Sequence, residues 1–203
     1  MKSVSQSDSK SPIECLDSLQ LDKLMESFEV WYHRAPTPFL KRVRGRYWLS
    51  FLMLRFTGAR VGEILRVDDS LDIDFENHEI RICDRLNVSP RRFTRTVPVP
   101  SRLIAQIRAY LTEFPMMRGK VFALDQGNFR REFYRRAEDA QIPRDLSHPH
   151  ILRHTRAREM VLAGVPIKTI QGLLGHAAAL STVIYLQVSE TAPGKILKEK
   201  GLL

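Results

Sequence analysis

Leu71-Asp72-Ile73-Asp74-Phe75 and Ile80-Arg81-Ile82-Cys83 decide the fold class of this chain. Apolar and polar residues alternate in both stretches, the period of strands that lay one face on a core. Glu76-Asn77-His78 separates them and is short enough for a hairpin. Arg95-Thr96-Val97-Pro98-Val99 reads as a third strand, and Pro98, with no N–H to give to a ladder, demotes it to an edge. On both sides of this meander the apolar spacing becomes helical. Before it, helices are expected over about 19–31, capped by Asp17 or Ser18, over about 39–56 with Gly58 just past the end, and over 61–67. Pro36–Pro38 breaks the first two apart. After it, helices are expected over about 101–113, 127–139, 148–163, 166–174 and 180–188, with a short one within 192–203. The fold class is therefore mainly α with a small three-stranded antiparallel sheet (α+β).

Residues 1–18 are Ser- and Lys-rich at the start and lack apolar spacing, so a disordered tail is expected there. Residues 19–190 read as one domain, without an internal repeat or a dividing linker, and 191–203 as a C-terminal segment. The whole chain has 203 residues, 43% of them hydrophobic, enough for one substantial core. Its net charge of +9 favours a polyanionic partner, nucleic acid first and an anionic membrane surface second. Cys15 and Cys83 form no disulfide framework. Met1–Lys10 is too polar for a signal peptide, and the apolar run Trp48–Leu54 ends at Arg55, far too short to span a bilayer. The expected location is the cytoplasm, in association with the nucleoid.

The chemistry gathers in three places. His150-Ile151-Leu152-Arg153-His154 sets an imidazole and a guanidinium at i and i+3 on one helix face. Thr57-Gly58-Ala59-Arg60-Val61-Gly62-Glu63 supplies a second arginine at a helix boundary. Leu174-Gly175-His176 is followed by Tyr185. Arginine offers a planar fork to two phosphate oxygens and keeps its charge at any working pH. Histidine accepts a proton near neutrality. A phenol is a poor nucleophile at neutral pH unless a base and a cationic field assist it. Together these groups suit attack by Tyr185 on a phosphodiester, with Arg60, Arg153 and His176 holding the charge that develops on phosphorus oxygens. Each has a plainer alternative: Arg60 as an ion-pair partner of Glu63, His150 and His154 as a zinc pair without a third ligand, Gly175-His176 as a helix stop, and Tyr185 as a core aromatic.

These three boxes, in this order, resemble the tyrosine recombinase (phage integrase) family over about residues 19–188. The resemblance implies that family's catalytic-domain fold and strand cleavage and rejoining through a 3′-phosphotyrosine, with no metal and no other cofactor. It implies that Arg60 and Arg153 grip the scissile phosphate, His150 acts as acid/base, His176 supports the phosphate, Tyr185 is the nucleophile and Glu63 lies behind them. Double-stranded DNA and further copies of the chain are the implied partners, without a small-molecule substrate or a membrane. Segment 192–203 would dock on a neighbouring subunit. Two departures stand out. The family expects a catalytic lysine in the hairpin between its second and third strands, whereas residues 85–95 contain none, and Arg91 and Arg92 occupy the place. The chain also lacks room for an N-terminal DNA-clamping domain, a layout similar to fimbrial-switch invertases. The missing lysine keeps open a non-catalytic DNA-binding regulator on the same fold. A basic helical interaction module without a DNA role is a more distant reading. Arg91, Arg92, Arg130 and Arg131 are the candidate DNA contacts, with the basic residues at 41–46 and Arg135 and Arg136 as further candidates. Asp68, Asp69, Asp72 and Asp74 read as solvated rather than as a metal site.

Overall fold

In a computed structural model, the structure describes residues 14–84 and 93–175. Seven α-helices and three strands follow one another among them. Helix α1 covers Ser18–His33, α2 Pro38–Thr57 and α3 Val61–Ile64. Strands β1 (Ile73–Asp74), β2 (Glu79–Asp84) and β3 (Phe93–Pro98) come next. Helices α4 (Ser101–Glu113), α5 (Gln126–Asp139), α6 (Ile151–Leu162) and α7 (Ile167–Leu174) complete the described chain. The mainly helical class with one small sheet holds. The expected helices at 180–188 and 192–203 lie outside the described residues.

The boundaries follow from local chemistry. Asp17 caps α1 and exchanges hydrogen bonds with Gln20 in a capping box. Thr37 caps α2, with Pro38 at the first turn where its missing N–H costs nothing. Helix α2 stops at Gly58, whose φ of 65° is left-handed.

Helix α2 is the axis of the core. Trp48, Leu49, Phe51, Leu52, Met53, Leu54 and Phe56 are all buried, because α1, α4 and α6 pack around it. The Phe51 ring stacks on Phe28 of α1 at 4.3 Å between centroids and tilts against Phe133 of α5. Gly45 lets α4 approach: a Cβ there would lie 2.5 Å from the Tyr110 ring, which itself donates to the Arg42 carbonyl.

The sheet is antiparallel in the order β1-β2-β3. Ile80, Ile82 and Val97 point into the core while Arg81, Thr94 and Thr96 point out, as the alternation predicts. Among the described strands, β3, carrying Pro98, is an edge.

Three expectations need correction. Residues 14–17, assigned to the disordered tail, pack on the domain: Leu16 is buried and its N–H donates to Thr155 Oγ1. The aspartates after α3 are not all solvated. Asp69 is buried and accepts from the Gly119 and Val121 N–H groups, closing the loop after α4. The basic residues of 41–46 are largely committed within the protein. Lys41 pairs with Glu113, Arg44 donates to the Trp31 carbonyl and covers its ring, and Arg46 donates to the carbonyls of Val121 and Ala123.

Candidate active site

The turn Thr57-Gly58-Ala59-Arg60 is the foundation of the site. The Thr57 hydroxyl donates to the Met53 carbonyl and accepts from the Ala59 N–H, which fixes the exit from α2. Gly58 then turns the chain so that Arg60 opens α3. A Cβ on Gly58 would lie 2.6 Å from Leu174 Cδ2 and 3.3 Å from the Arg156 side chain, so α6 and α7 both reach this residue. The carbonyl of Gly58 accepts a hydrogen bond of 3.0 Å from Nη1 of Arg153. Arg55 and Glu159, joined by two bonds of 2.8 and 2.7 Å, brace α2 against α6 alongside. The three boxes, far apart in sequence, thus meet at one glycine.

Glu63 ties them again. Its side chain is fully buried and accepts from the Arg60 N–H at 2.7 Å and from Arg60 Nη1 at 3.3 Å. Arg95 of β3 grips the same carboxylate with both terminal nitrogens, at 3.2 and 2.7 Å. Burial alone would raise the Glu63 carboxyl. The hydrogen bonds and charge of Arg95, helped by Arg60, outweigh it and hold the group below its ordinary value. The ion pair between Arg60 and Glu63 and a phosphate role for Arg60 are therefore compatible: one carboxylate serves two guanidiniums.

Arg60 and His150 face a cleft of about 410 Å³ together with Arg66, Arg130, Tyr134, His148 and Gln126. Among the described residues lining it there is no carboxylate, so an anion entering it meets no like charge from them and three guanidiniums, Arg60, Arg66 and Arg130. His150 is the residue before α6 rather than within it, and its ring meets that of His154 edge-on at 4.8 Å. Burial, then the neighbours His154, Arg153, His148 and Arg60, push the His150 imidazole down to about 4. The expectation that it titrates near neutrality is thus corrected for the protein without DNA: the ring is neutral and can accept a proton, but as a weak base. His148 and His154 are also pushed down, chiefly by burial.

Arg60, His150 and Arg153 are brought together. Arg130 lines the cleft, whereas Arg131 bonds to Asn128 on the exposed surface. Arg135 and Arg136 pair with Glu132, and Arg136 also with Asp139 while covering the Trp31 ring, so the arginines of α5 do not form one basic face. His176, Tyr185, Arg91 and Arg92 lie outside the described residues. Arg66, His148 and Arg95 were not singled out from sequence. Arg95 did carry a signal: it shares the inward face of β3 with Val97 and Val99, and a guanidinium on a buried face requires an acid.

The sequence pattern of the phage integrase family matches residues 15–192. The chain belongs to the phage integrase family. This integrase-family chain is 32% identical over 166 residues to the tyrosine recombinase XerC of Chlamydia pneumoniae, covering 75% of this chain and 51% of XerC. A crystal structure of XerA recombinase superposes with a TM-score of 0.70 over 98% of the chain and 66% of XerA, at 23% identity. XerH bound to its palindromic difH substrate after cleavage superposes with a TM-score of 0.69 over 97% of the chain and 55% of XerH, at 20% identity. These likenesses establish the fold. The integrase-family chain spans about half the length of XerC.

Proposed function

We propose that this chain carries the strand-cleaving activity of a site-specific DNA recombinase, residues 19–190 being its catalytic domain. The reading rests on one observation above the others: Arg153 and Leu174 both contact Gly58, two residues from Arg60, beside a cleft walled by guanidinium and imidazole groups. Such a cleft suits a phosphodiester, whose charge is worth most where preorganised donors replace water. In the reading, Arg60 and Arg153 hold the non-bridging oxygens, with His176 beside them. Tyr185 gives its proton to His150 as its oxygen bonds to phosphorus. The bond from phosphorus to the 5′-oxygen breaks, leaving a 3′-phosphotyrosine ester and a 5′-hydroxyl. Arg91 and Arg92 stand in the stretch of sequence where the family carries a lysine. As guanidiniums they donate hydrogen bonds to the leaving oxygen, and water supplies its proton. The ester conserves the energy of the cut bond, so the reverse attack rejoins DNA without a cofactor.

Duplex DNA is the partner in this reading, as difH is for XerH. Several copies would act together on two duplexes, with segment 191–203 docking on a neighbour, in the nucleoid. The test uses nicked duplexes built from inverted repeats beside the coding region and from sheared genomic DNA of the source organism. A nick near the cut site lets the cleaved end diffuse away and traps the protein on DNA. The expected result is a denaturant-resistant adduct that Tyr185→Phe abolishes. An adduct that survives that change, or none from the wild type, would overturn the proposal.

A further inference from the structure

Arg95 makes three bonds from three nitrogens. Nη1 and Nη2 hold Glu63, and Nε donates to the Leu173 carbonyl at 2.8 Å. Neutralising a buried carboxylate requires only the first two. The third reaches a different element, the last turn of α7, whose terminal carbonyls lack helical partners. Gly175, immediately after α7, passes directly over the guanidinium: a Cβ there would lie 3.1 Å from Arg95 Nη1, and its φ of 91° suits glycine alone. The arginine is largely buried, with 12% of its side chain exposed, so these contacts are not traded for water.

We infer that Arg95 is a positioning residue for strand cleavage: one guanidinium locks the Glu63–Arg60 turn to the end of α7, where the chain departs for His176 and Tyr185. The inference rests on the recombinase reading and adds to it a residue whose hydrogen-bond partners among the described residues are Glu63 and Leu173. It acts at both ends of the site. Through Glu63 it fixes the backbone and guanidinium of Arg60. Through Leu173 it fixes the point from which the nucleophile's segment is delivered. Displacement of such a support by about 1 Å costs about a hundredfold in rate.

Arg95→Lys separates the two roles, because a single ammonium satisfies Glu63 but does not bridge to Leu173. Duplex affinity, the urea midpoint and the rate of adduct formation with protein in saturating excess are measured on the nicked duplex that the wild type captures. The lysine variant is expected to bind with unchanged affinity and to cleave more slowly by about tenfold or more. A smaller loss of rate, or a loss of affinity in step with rate, overturns the inference, since neutralising Glu63 or general stability would then be its whole role. Should the lysine variant fail to fold, Glu63→Gln alone is compared with Glu63→Gln plus Arg95→Gln, and the added loss of rate and change of affinity between these two are judged by the same limits. A wild type that forms no adduct overturns the recombinase reading itself, a result distinct from a lysine variant that cleaves at full rate.

Discussion

Replacing Gly58 by alanine tests the keystone of the site in two separable ways. Its left-handed φ of 65° costs a side chain about 1 kcal/mol. The new Cβ would also lie 2.6 Å from Leu174 Cδ2, inside any normal contact, and Leu174 is buried with little room to retreat. Overpacking of that kind costs about 1–3 kcal/mol, so Gly58→Ala is expected to lose about 2–4 kcal/mol in all. With a urea slope of about 2 kcal/mol/M, the midpoint falls by about 1–2 M. Gly164 supplies the control. Its φ of 74° is equally left-handed, but no atom lies within 4 Å of where its Cβ would stand. Gly164→Ala should therefore lose only the backbone part, about 1 kcal/mol.

A double-mutant cycle isolates the contact between the two boxes. Leu174→Ala alone leaves a cavity and costs about 2–5 kcal/mol. In the Gly58→Ala background the same truncation also relieves the clash. The paired loss should fall short of the sum by about 1 kcal/mol or more. Additivity within about 0.5 kcal/mol, or equal losses for Gly58→Ala and Gly164→Ala, would refute the reasoning that these boxes are packed through Gly58.

Other expectations follow from the same geometry. His148, His150 and His154 have imidazoles depressed in the folded protein, so the unfolded chain binds more protons below its own histidine value of about 6.5. Stability should be level above that pH and decline as pH falls from about 6.5 towards 5, with His150→Gln flattening the slope; urea midpoints that stay constant across this window would contradict it. Asp69→Ala strands the N–H groups of Gly119 and Val121 and should cost about 2–4 kcal/mol by urea denaturation, while adduct formation per folded molecule is unchanged. Arg66→Ala and Arg130→Ala, at the cleft, should each lower duplex affinity and shrink the salt slope by about one unit. Arg136→Ala, whose partners are Glu132, Asp139 and Trp31, should lower stability and leave the slope as it was; binding titrations at several salt concentrations distinguish these cases.

What the sequence makes legible is what the chain decides locally. The Asp17 cap, the stop at Gly58, the edge strand marked by Pro98 and the inward row Ile80, Ile82 and Val97 are each written in neighbouring residues, and each is found. Arg60, His150 and Arg153 are legible as a group for another reason: the boxes that carry them are distinctive in sequence, and the structure brings them together. The commitments of the remaining cations are not local. Arg46 reaches carbonyls at 121 and 123, and Arg136 crosses to Trp31, so neither duty can be read from the helix that carries it. Asp69 reads as a solvated acid beside Asp68 until the chain fifty residues later folds over it.

The same distinction governs how a chain with net charge +9 distributes its cations. Arg44, Arg46, Arg55, Arg95 and Arg136 spend their donors on the protein's own carbonyls, carboxylates and rings. Basic composition thus indicates the class of partner without indicating which side chains meet it. At the cleft the distribution is different: Glu63 lies behind Arg60 rather than in the lining, and no other carboxylate of the described residues enters it. His150 beside it is pushed down first by burial and then by the neighbouring imidazoles and guanidiniums. In the proposed reaction, a bound phosphate would offset the part of that shift owed to neighbouring cations and leave the part owed to burial. Part of the base strength that takes the proton of Tyr185 would then develop only where the substrate is bound.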